Sequence, residues 1–388
     1  MYFNSNIKEE CCGCTACKNV CPVSAIDMQE DIEGFKYPTI NQDLCINCKL
    51  CEKVCPFEHI QKNDDRRAIV LAAMLKDEQQ RQRSTSGGAF YAIAENVIKN
   101  GGKVYGAAFN EQLILNHIGV ETLSDLELLR GSKYLQSDLK DIFKDVKENL
   151  NKGRICYFVG TGCQIAGLKA FLRKDYSNLI TSDIVCHGVP SQKLFNYHLS
   201  YLGKRYHSSV VNYQFRDNKA WGVCEIATLK NGKIKKLPSY NLSPYLYSFM
   251  YGMTYRHSCY NCHYAKVPRI GDITLADFWG VEHCDFAIDV THGVSLIMLN
   301  TLKGIKFWDS IKETLEYHES DILKASSYNK NVVQPSNKPE TRDEIYQIIE
   351  AKGYEYVVKK YFRHPKFHYL KLRSYLVPLK KMTKKLFS

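Results

Sequence analysis

Eight cysteines near the N-terminus stand in two runs with the same spacing. Both runs read C-x2-C-x2-C-x3-C and are followed at once by proline: Cys11, Cys14, Cys17, Cys21 and Pro22, then Cys45, Cys48, Cys51, Cys55 and Pro56. Such a run holds cubane 4Fe–4S clusters through thiolate ligands. Three closely spaced cysteines can surround one face of a cubane, and the proline turn carries the fourth towards the other cluster. The sequence therefore predicts two clusters and one-electron transfer.

The ligand sets are predicted to be crossed, as in bacterial ferredoxins with this spacing. One set is Cys11, Cys14, Cys17 and Cys55, and the other is Cys45, Cys48, Cys51 and Cys21. Cys12 falls between ligand positions, so it is expected to point elsewhere as a spare thiol. Zinc is disfavoured because zinc sites use two CxxC pairs separated by a longer loop. A disulfide framework is disfavoured because the N-terminus has no signal peptide.

Length and composition bound the remaining possibilities. The 388 residues are too many for one core and predict two or three domains. Sixteen cysteines, half of them assigned to clusters, favour a reducing cytoplasm. No apolar run approaches the roughly 18 residues of a membrane span. The net charge is +12, but no nucleic-acid-binding module is present, so nucleic acid is not an expected partner.

The pattern after the cysteine runs predicts a mixed α/β body. Predicted strands (68–75, 103–109, 113–120, 154–159, 178–185) alternate with predicted helices (89–100, 123–129, 138–150, 165–172), with Ser137 as a cap. Antiparallel strands follow at 210–215, 223–229 and 234–237, then a helix at 242–251, a strand at 294–300 and a helix at 305–315. The fold class is therefore α+β or α/β multidomain. Its expected parts are a ferredoxin-like domain (1–62), two parts of the body (66–190 and 191–327) and a basic helical tail (328–388).

Four further cysteines are candidates for a third metal centre. Cys163 and Cys186 follow predicted strands, and Cys259 and Cys262 form a CxxC pair. Four thiolates can hold another cubane or a zinc ion, and the redox context favours iron and sulfur. The alternative is that they are scattered buried cysteines, which is the interpretation preferred for Cys156 and Cys224. Cys284 is a reserve ligand.

Two polar loops are candidates for binding a cofactor. Ser84, Ser86, Gly87 and Gly88 precede a predicted helix, where backbone N–H groups and the helix dipole favour phosphate. An ordinary helix cap would have the same composition. Lys133, Tyr134 and Gln136 could hold a phosphate or the edge of a flavin, or form a solvated surface loop.

Several of these segments, taken in order, resemble the coenzyme F420 hydrogenase/dehydrogenase beta-subunit family. The matching segments are Ser84–Gly88, Gly131–Tyr134, Gly160–Gln164, Cys186–Ser191, Cys259–Cys262 and Asp272–Gly280. The family usually has proline where this chain has Gly162 and glycine where it has Ala276. The resemblance implies a body that binds a flavin, FAD, and passes electrons between clusters and a hydride donor or acceptor. The N-terminal cysteine runs are similar to a ferredoxin unit found in many members.

For several other residues the sequence leaves two interpretations open. His187 is either a proton relay beside the flavin or a hydrogen-bonded loop histidine, with the second preferred. Arg256 and Arg269, with Asp272 and Asp277, either form an ion-pair network or offset the negative charge of a reduced cluster. Phe278 and Trp279 are expected in the core.

The basic tail also keeps two interpretations. It either lies on an anionic membrane surface, at the inner face, or packs on the body as a solvated helix.

The favoured function is a cytoplasmic iron–sulfur flavoprotein oxidoreductase that exchanges hydride with coenzyme F420 or another small acceptor. Its expected partner is a redox carrier or a partner oxidoreductase subunit. The alternative is a non-catalytic electron-transfer subunit, and a redox sensor is disfavoured because sensors seldom need two clusters.

Overall fold

The computed structural model describes residues 2–60 and 67–374. The cysteine-rich region (residues 2–60) contains three short helices and one antiparallel hairpin. Its helices are α1 (Tyr2–Ser5), α2 (Ala16–Val20) and α3 (Leu50–Lys53), and its strands are β1 (Ile26–Glu30) and β2 (Lys36–Ile40).

The two cysteine runs have the same backbone. Thr15 and Lys49 hold equivalent places, one residue before α2 and α3, and both have left-handed φ values, +60° and +57°. Gly13 and Asn47, two residues earlier, also have positive φ. Because left-handed residues reverse the direction of the chain, each run curls around its first cysteines before its helix begins.

The body (residues 67–374) is built on an eight-stranded mixed sheet and a three-stranded antiparallel sheet. Its strands, in chain order, are β3 (Ile69–Leu75), β4 (Lys103–Phe109), β5 (Leu115–Val120), β6 (Cys156–Thr161), β7 (Leu179–Ile184), β8 (Val210–Asp217), β9 (Ala220–Leu229), β10 (Ile234–Leu237), β11 (Ile273–Asp277), β12 (Ser295–Leu299) and β13 (Leu315–Ser320). The large sheet has the order β13-β3-β12-β11-β7-β6-β4-β5, and the small one β10-β9-β8. Only β4, β6, β7 and β11 pair in parallel, as a continuous group in the middle of the large sheet. This confirms the predicted mixed α/β class.

The helices cover the large sheet and extend beyond it. They are α4 (Glu78–Arg83), α5 (Ala89–Lys99), α6 (Leu123–Leu129), α7 (Ile142–Asn151), α8 (Gly162–Leu172), α9 (Gln192–Tyr206), α10 (Pro244–Met250), α11 (Leu302–Asp309), α12 (Ile322–Ser327), α13 (Arg342–Lys352) and α14 (Tyr354–Lys360). Residues 367–374 are helical again. None of the described helices is apolar over a length that could cross a bilayer.

The cysteine-rich region shares its hydrophobic core with the body. Ala16 and Val54 are fully buried against residues of α7 and α8, and Phe35 and Tyr37 are buried against residues of α9, α10 and α13. Burial of this apolar surface fixes the position of the cysteine-rich region on the body. The tail contributes to the same core, because Val357 of α14 and Phe362 pack there.

Two sequence predictions about elements are wrong. Ser137 does not cap a helix, because α7 begins only at Ile142; its hydroxyl instead contacts His117 Nδ1 (2.8 Å) and accepts a hydrogen bond from Gln164. The predicted helix at 305–315 ends at Asp309, and Leu315–Ser320 forms the edge strand β13. An edge strand exposes most of its side chains and buries few, so its sequence carries little apolar signal.

Candidate redox centre

The inner set of thiols, Cys11, Cys14, Cys17 and Cys55, surrounds one small apolar cavity. Cys12, Tyr2, Met28, Pro38 and Phe57 are among the other residues that line it. Burial raises the pKa of the Cys17 thiol, and the neighbouring Cys11 and Cys55 raise it further. The structure therefore brings together the four residues that the crossed pattern predicts for one cluster.

The outer set, Cys21, Cys45, Cys48 and Cys51, lies closer to the solvent. Cys48 is exposed and the other three are partly exposed. Cys21 ends α2 and Cys51 lies in α3, and these two helices pack against each other. Leu44 and Ile46 are 51% and 61% exposed beside this set, so its surroundings are apolar and accessible.

The body set, Cys163, Cys186, Cys259 and Cys262, lines a second cavity. Cys163 lies in the first turn of α8, Cys186 follows β7, and Cys259 and Cys262 lie in a loop that leads to β11. Burial and the neighbouring thiols raise the pKa of Cys186 to about 12 and that of Cys262 to about 11. Cys284 packs elsewhere, in the core near Phe278, and Cys156 and Cys224 are buried in strands.

These thiols enclose a space instead of converging on a point. Among residues 2–60 and 67–374, no three His, Cys, Asp or Glu side chains are close enough to hold a single metal ion. A zinc ion would need ligand atoms about 2.3 Å from its centre.

Cys12 lies between the inner set and the body set. It is buried, it lines the cavity of the body set, and its thiol is in hydrogen-bonding contact with both Cys14 and Cys163. The sequence predicts a spare thiol that points elsewhere, but the structure places it at the junction of the two cavities. Its place depends on how the cysteine-rich region packs on α8, and no local pattern encodes that.

A groove of about 330 Å³ begins next to the body set. It lies at the carboxyl ends of β6, β7 and β11, where ligands bind in α/β sheets. Cys186, Gly188, Val189 and Thr161 border both the groove and the cavity of the body set. Since Cys186 is one of the four thiols, a ligand in the groove would lie directly beside the body set. The volume falls within the range of small-molecule sites.

One end of the groove has the properties of an anion site. Ser84, Ser86 and Gly88 line it together with the first turn of α5, the end of a helix that favours anions. Gly87 does not line the groove. A Cβ at Gly87 would stand 2.2 Å from the Ala73 carbonyl oxygen, so this glycine allows the loop to approach β3.

Arg130 organises this end of the groove, and the sequence prediction did not include it. Its guanidinium donates to Ser84 Oγ (2.8 Å) and to the Gln80 carbonyl and side-chain oxygens, and it lies over the Tyr91 ring. Ser84 Oγ donates in turn to the Gln80 carbonyl oxygen, so its proton is already used. Arg130 directly precedes Gly131–Tyr134, and this adjacency is the signal that could have identified it.

The residues of the second predicted loop line two different cavities. Lys133 and Tyr134 line the groove, whereas Gln136 lies on the side of the thiols and donates to the Cys12 carbonyl oxygen (2.9 Å). Lys133 Nζ donates to the carbonyls of Leu128 and Arg130, and desolvation lowers its pKa to about 7. The structure therefore does not bring Gln136 into the groove.

Two histidines line the groove in the neutral form. Burial lowers the pKa of His187 and of His117 to about 4. His117 is held by the Val159 carbonyl and by Ser137, whereas the ring nitrogens of His187 have no hydrogen-bond partner among the described residues. Of the two interpretations of His187, the structure disfavours the fully hydrogen-bonded one. His117 stands in a strand, where nothing in the sequence marks it.

The far side of the groove is aromatic and carries a paired arginine. Trp279 lines the groove and stacks on Trp221 with ring centroids 4.5 Å apart, while Phe278 is buried in the core as predicted. Arg216, a further residue that sequence reasoning missed, pairs with Asp277 (2.6 Å) and donates to the Tyr134 hydroxyl (2.7 Å).

The predicted network of Arg256, Arg269, Asp272 and Asp277 does not form. Asp277 pairs with Arg216, and Arg269 pairs with Asp183 instead of Asp272 or Asp277. Arg256 contacts the cysteine-rich region.

Two regions of the chain match known protein families. Residues 10–59 match the 4Fe-4S dicluster domain, and residues 154–324 match the C terminus of the coenzyme F420 hydrogenase/dehydrogenase beta subunit. A chain of the F420-reducing [NiFe] hydrogenase complex from Methanosarcina barkeri, solved as a xenon derivative, is 15% identical with a TM-score of 0.47. That match covers 75% of this chain and 96% of the other. A comparison with curated proteins returned no match.

Both family matches include the residues that form the cavities described above. The inner and outer sets lie within residues 10–59, and the body set lies within residues 154–324. Residues 10–59 thus match a 4Fe-4S dicluster domain and residues 154–324 match the coenzyme F420 hydrogenase/dehydrogenase beta-subunit family, and together the two matches support an iron–sulfur electron-transfer oxidoreductase.

Proposed function

We propose that the chain is an iron–sulfur flavoprotein with three 4Fe–4S clusters and one FAD. The observation that carries this proposal is the layer formed by Cys186 and Val189, which borders both the thiol-lined cavity and the groove. Electrons would pass from the outer set to the inner set, then to the body set, and finally into the groove. We also propose that the chain is divided into a ferredoxin-like domain (1–62), two parts of the body (66–190 and 191–327) and a basic tail (328–388).

The thiols suit iron–sulfur clusters for an electrostatic reason. Burial and mutual repulsion hold the pKa of the body-set thiols well above their usual range, so these residues carry no negative charge by themselves. A positively charged cluster core removes this penalty by binding them as thiolates. We propose Cys11, Cys14, Cys17 and Cys55 for the inner cluster, Cys21, Cys45, Cys48 and Cys51 for the outer one, and Cys163, Cys186, Cys259 and Cys262 for the third.

The groove suits FAD because its two ends differ in chemistry. At the anion end, the N-terminus of α5 and the Lys133 ammonium would bind the diphosphate, with Arg130 holding the loop. At the other end, Tyr134 and Trp279 offer aromatic surfaces for the ring system. Bound flavin supplies the conversion between one-electron and two-electron transfer that cubanes lack.

Residues of the groove also suit the binding of a hydride partner. Neutral His187, with unpaired ring nitrogens among the described residues, can hold or move a proton at one of these atoms. The buried Arg216–Asp277 pair fixes Tyr134 through its hydroxyl. We propose coenzyme F420 or another small hydride carrier as the partner, on the strength of the family match.

The exposed outer set indicates where electrons enter or leave. Cys48 is solvent-exposed, and its neighbours Leu44 and Ile46 present apolar surface. We propose that a redox carrier or a partner oxidoreductase subunit docks there, in the cytoplasm. The basic tail remains a proposed membrane contact at the inner surface; its last segment, 375–388, lies outside the described residues.

Composition analysis after oxygen-free purification tests this proposal. We expect about twelve iron atoms per chain, four for each cubane, and one FAD. The double variant C259S/C262S should lose about four iron atoms, whereas C284S, a thiol outside the cavity, should lose none. About eight iron atoms with stoichiometric zinc would assign the body set to zinc. A protein without flavin would instead be an electron-transfer subunit that serves a separate catalytic partner.

A further inference from the structure

Arg256 is buried where the cysteine-rich region meets the body. Its side chain is 1% exposed, and all three of its nitrogens donate hydrogen bonds. Nε donates to the Cys11 carbonyl oxygen (2.7 Å), Nη2 to the Lys36 carbonyl oxygen (3.0 Å) and Nη1 to Gln136 Oε1 (3.3 Å). Its guanidinium also lies 4.1 Å from the centroid of the Tyr37 ring. Every one of these partners is formally neutral.

Arg256 differs in this respect from the other deeply buried arginines. Arg269 pairs with Asp183, Arg342 with Glu33 and Arg216 with Asp277, each at 2.6 Å or less. Among the described residues, no carboxylate forms an ion pair with Arg256. A buried charge without a counter-charge is strongly unfavourable, and proteins rarely retain one. The compensating negative charge must therefore come from another source.

Arg256 lines the cavity of the body set and donates a hydrogen bond to the backbone of Cys11 in the inner set. Cys11 of the inner set, Cys259 of the body set and Cys12 between them all interact electrostatically with its guanidinium. Cysteines bind metal as thiolates, so each set gains negative charge when it binds a cluster. Arg256 thus lies between two sites that gain negative charge on cluster binding and gain more on reduction.

We propose that Arg256 is the shared counter-charge of the inner cluster and the body cluster and raises the reduction potential of both. For the body cluster, this inference rests on the proposed function. Each reduction adds one electron, from a one-electron carrier, to a cluster and changes no bond. A fixed positive charge in a site of low polarity favours the reduced, more negative state over the oxidised one. Arg256 acts through the clusters and is a positioning residue, not a catalytic one.

The alternative is that Arg256 only holds the two regions together through its hydrogen bonds. The variants R256K and R256Q separate these roles. Lysine retains the charge but loses the planar fork of donors, whereas glutamine retains donors and loses the charge. R154Q is the matched control, because Arg154 is partly exposed, pairs with Glu121 and lines neither thiol cavity.

The measurement is a redox titration of the anaerobic holoprotein, followed by electron paramagnetic resonance, together with iron analysis. At a potential that half-reduces the wild-type inner cluster, the ratio of reduced to oxidised inner cluster in R256Q should be at least about tenfold lower, equivalent to about 59 mV for a one-electron couple. R256K should titrate close to wild type, R154Q should not change, and the outer cluster should shift least.

Two results would overturn the proposal. One is R256Q with full iron content and wild-type potentials. The other applies if R256Q fails to retain iron. It is that R256K keeps its full iron content but the reduction potentials of its inner and body clusters fall by the amount expected for loss of the charge. A wild-type protein with about eight iron atoms would refute the third cluster of the proposed function. The inner-cluster shift would still test Arg256 in that case, so the two failures can be told apart.

Discussion

The thiol of Cys12 contacts that of Cys163, although the first belongs to the dicluster domain and the second to the first turn of α8. Cys12 also contacts Cys14, so one side chain joins the inner set to the body set. Hydrogen bonds to cluster sulfurs are among the factors that set cluster potentials. This contact makes the junction between the two regions part of the redox centre.

Replacing Cys12 tests whether it is a ligand or a neighbour of ligands. We expect C12A to retain about twelve iron atoms, because each set already has four other cysteines. Loss of the thiol hydrogen bond should lower the potential of the body cluster, measured by redox titration. C284A is the control and should match wild type in both respects. A loss of about four iron atoms would make Cys12 a ligand and contradict the assignment.

Gly167 of α8 controls how closely the dicluster domain approaches the body. A Cβ at this position would stand 2.7 Å from Cys14 Cβ and 2.9 Å from Cys14 Sγ. We therefore expect G167A to displace Cys14 and to reduce the iron content by about one cubane. G203A in α9 is the matched control, because a Cβ there would have its nearest neighbours outside the helix backbone 3.8 Å away.

The control should be neutral or slightly stabilising, since alanine is the better helix former by about 1 kcal/mol. Iron analysis and thermal unfolding of both variants provide the comparison. Full iron content and unchanged stability in G167A would contradict the close contact between Gly167 and Cys14.

Flavin binding should depend on pH because of Lys133. Its pKa is lowered to about 7 by desolvation, so the ammonium is charged below this pH and neutral above it. Because an anionic diphosphate favours the charged form, FAD affinity of the deflavinated protein should fall as the pH rises through about 7. We expect a loss of roughly threefold or more between about pH 6 and pH 8.5.

Two variants identify the source of this dependence. K133R keeps its charge at all these pH values and should bind FAD tightly with a flatter profile, while K133M should bind weakly with a flat profile. Fluorescence titration with FAD measures all three. The same slope in K133M as in wild type would assign the dependence to another group.

The ion pair of Glu33 and Arg342 should stabilise the seating of the dicluster domain. Both side chains are buried, and two hydrogen bonds of 2.6 and 2.9 Å join them. Although burial opposes ionisation, hydrogen bonds from His257 and Arg342 lower the pKa of Glu33 to about 2, so the carboxylate is charged at neutral pH. E33Q should therefore leave Arg342 unpaired and destabilise the protein by about 3–5 kcal/mol.

Denaturant unfolding at neutral pH under anaerobic conditions measures this loss. E355Q is the control, since Glu355 forms an exposed i,i+4 pair with Lys359 that should contribute about 0.3–0.5 kcal/mol. Equal, small effects of the two substitutions would show that the buried pair contributes little.

Local patterns predicted much of the fold. The strand at 103–109 and the helix at 123–129 follow from the spacing of apolar residues, and their observed bounds are the same. The cysteine spacing likewise anticipated that Cys55 would join Cys11, Cys14 and Cys17. Such features depend on neighbours in the chain, which the sequence displays directly.

Features that depend on distant contacts were harder to predict. β11 lies within Asp272–Gly280, which the sequence marks as a motif but not as a strand, because the strand is defined by its pairing with β7 and β12. Arg130 and Arg216 act through partners up to 82 residues away. The same holds for Cys12 and Gln136, whose positions arise only when the cysteine-rich region packs on the body.

The most direct test of the central claim is flavin reduction in the C259S/C262S variant, compared with wild type under anaerobic conditions. Absorbance would follow the flavin while electrons are supplied either by a reduced ferredoxin or by a hydride donor. We predict that the variant keeps about eight iron atoms and its FAD, accepts hydride, and no longer receives electrons from ferredoxin. Ferredoxin-dependent reduction at the wild-type rate would contradict the proposed route through the body set.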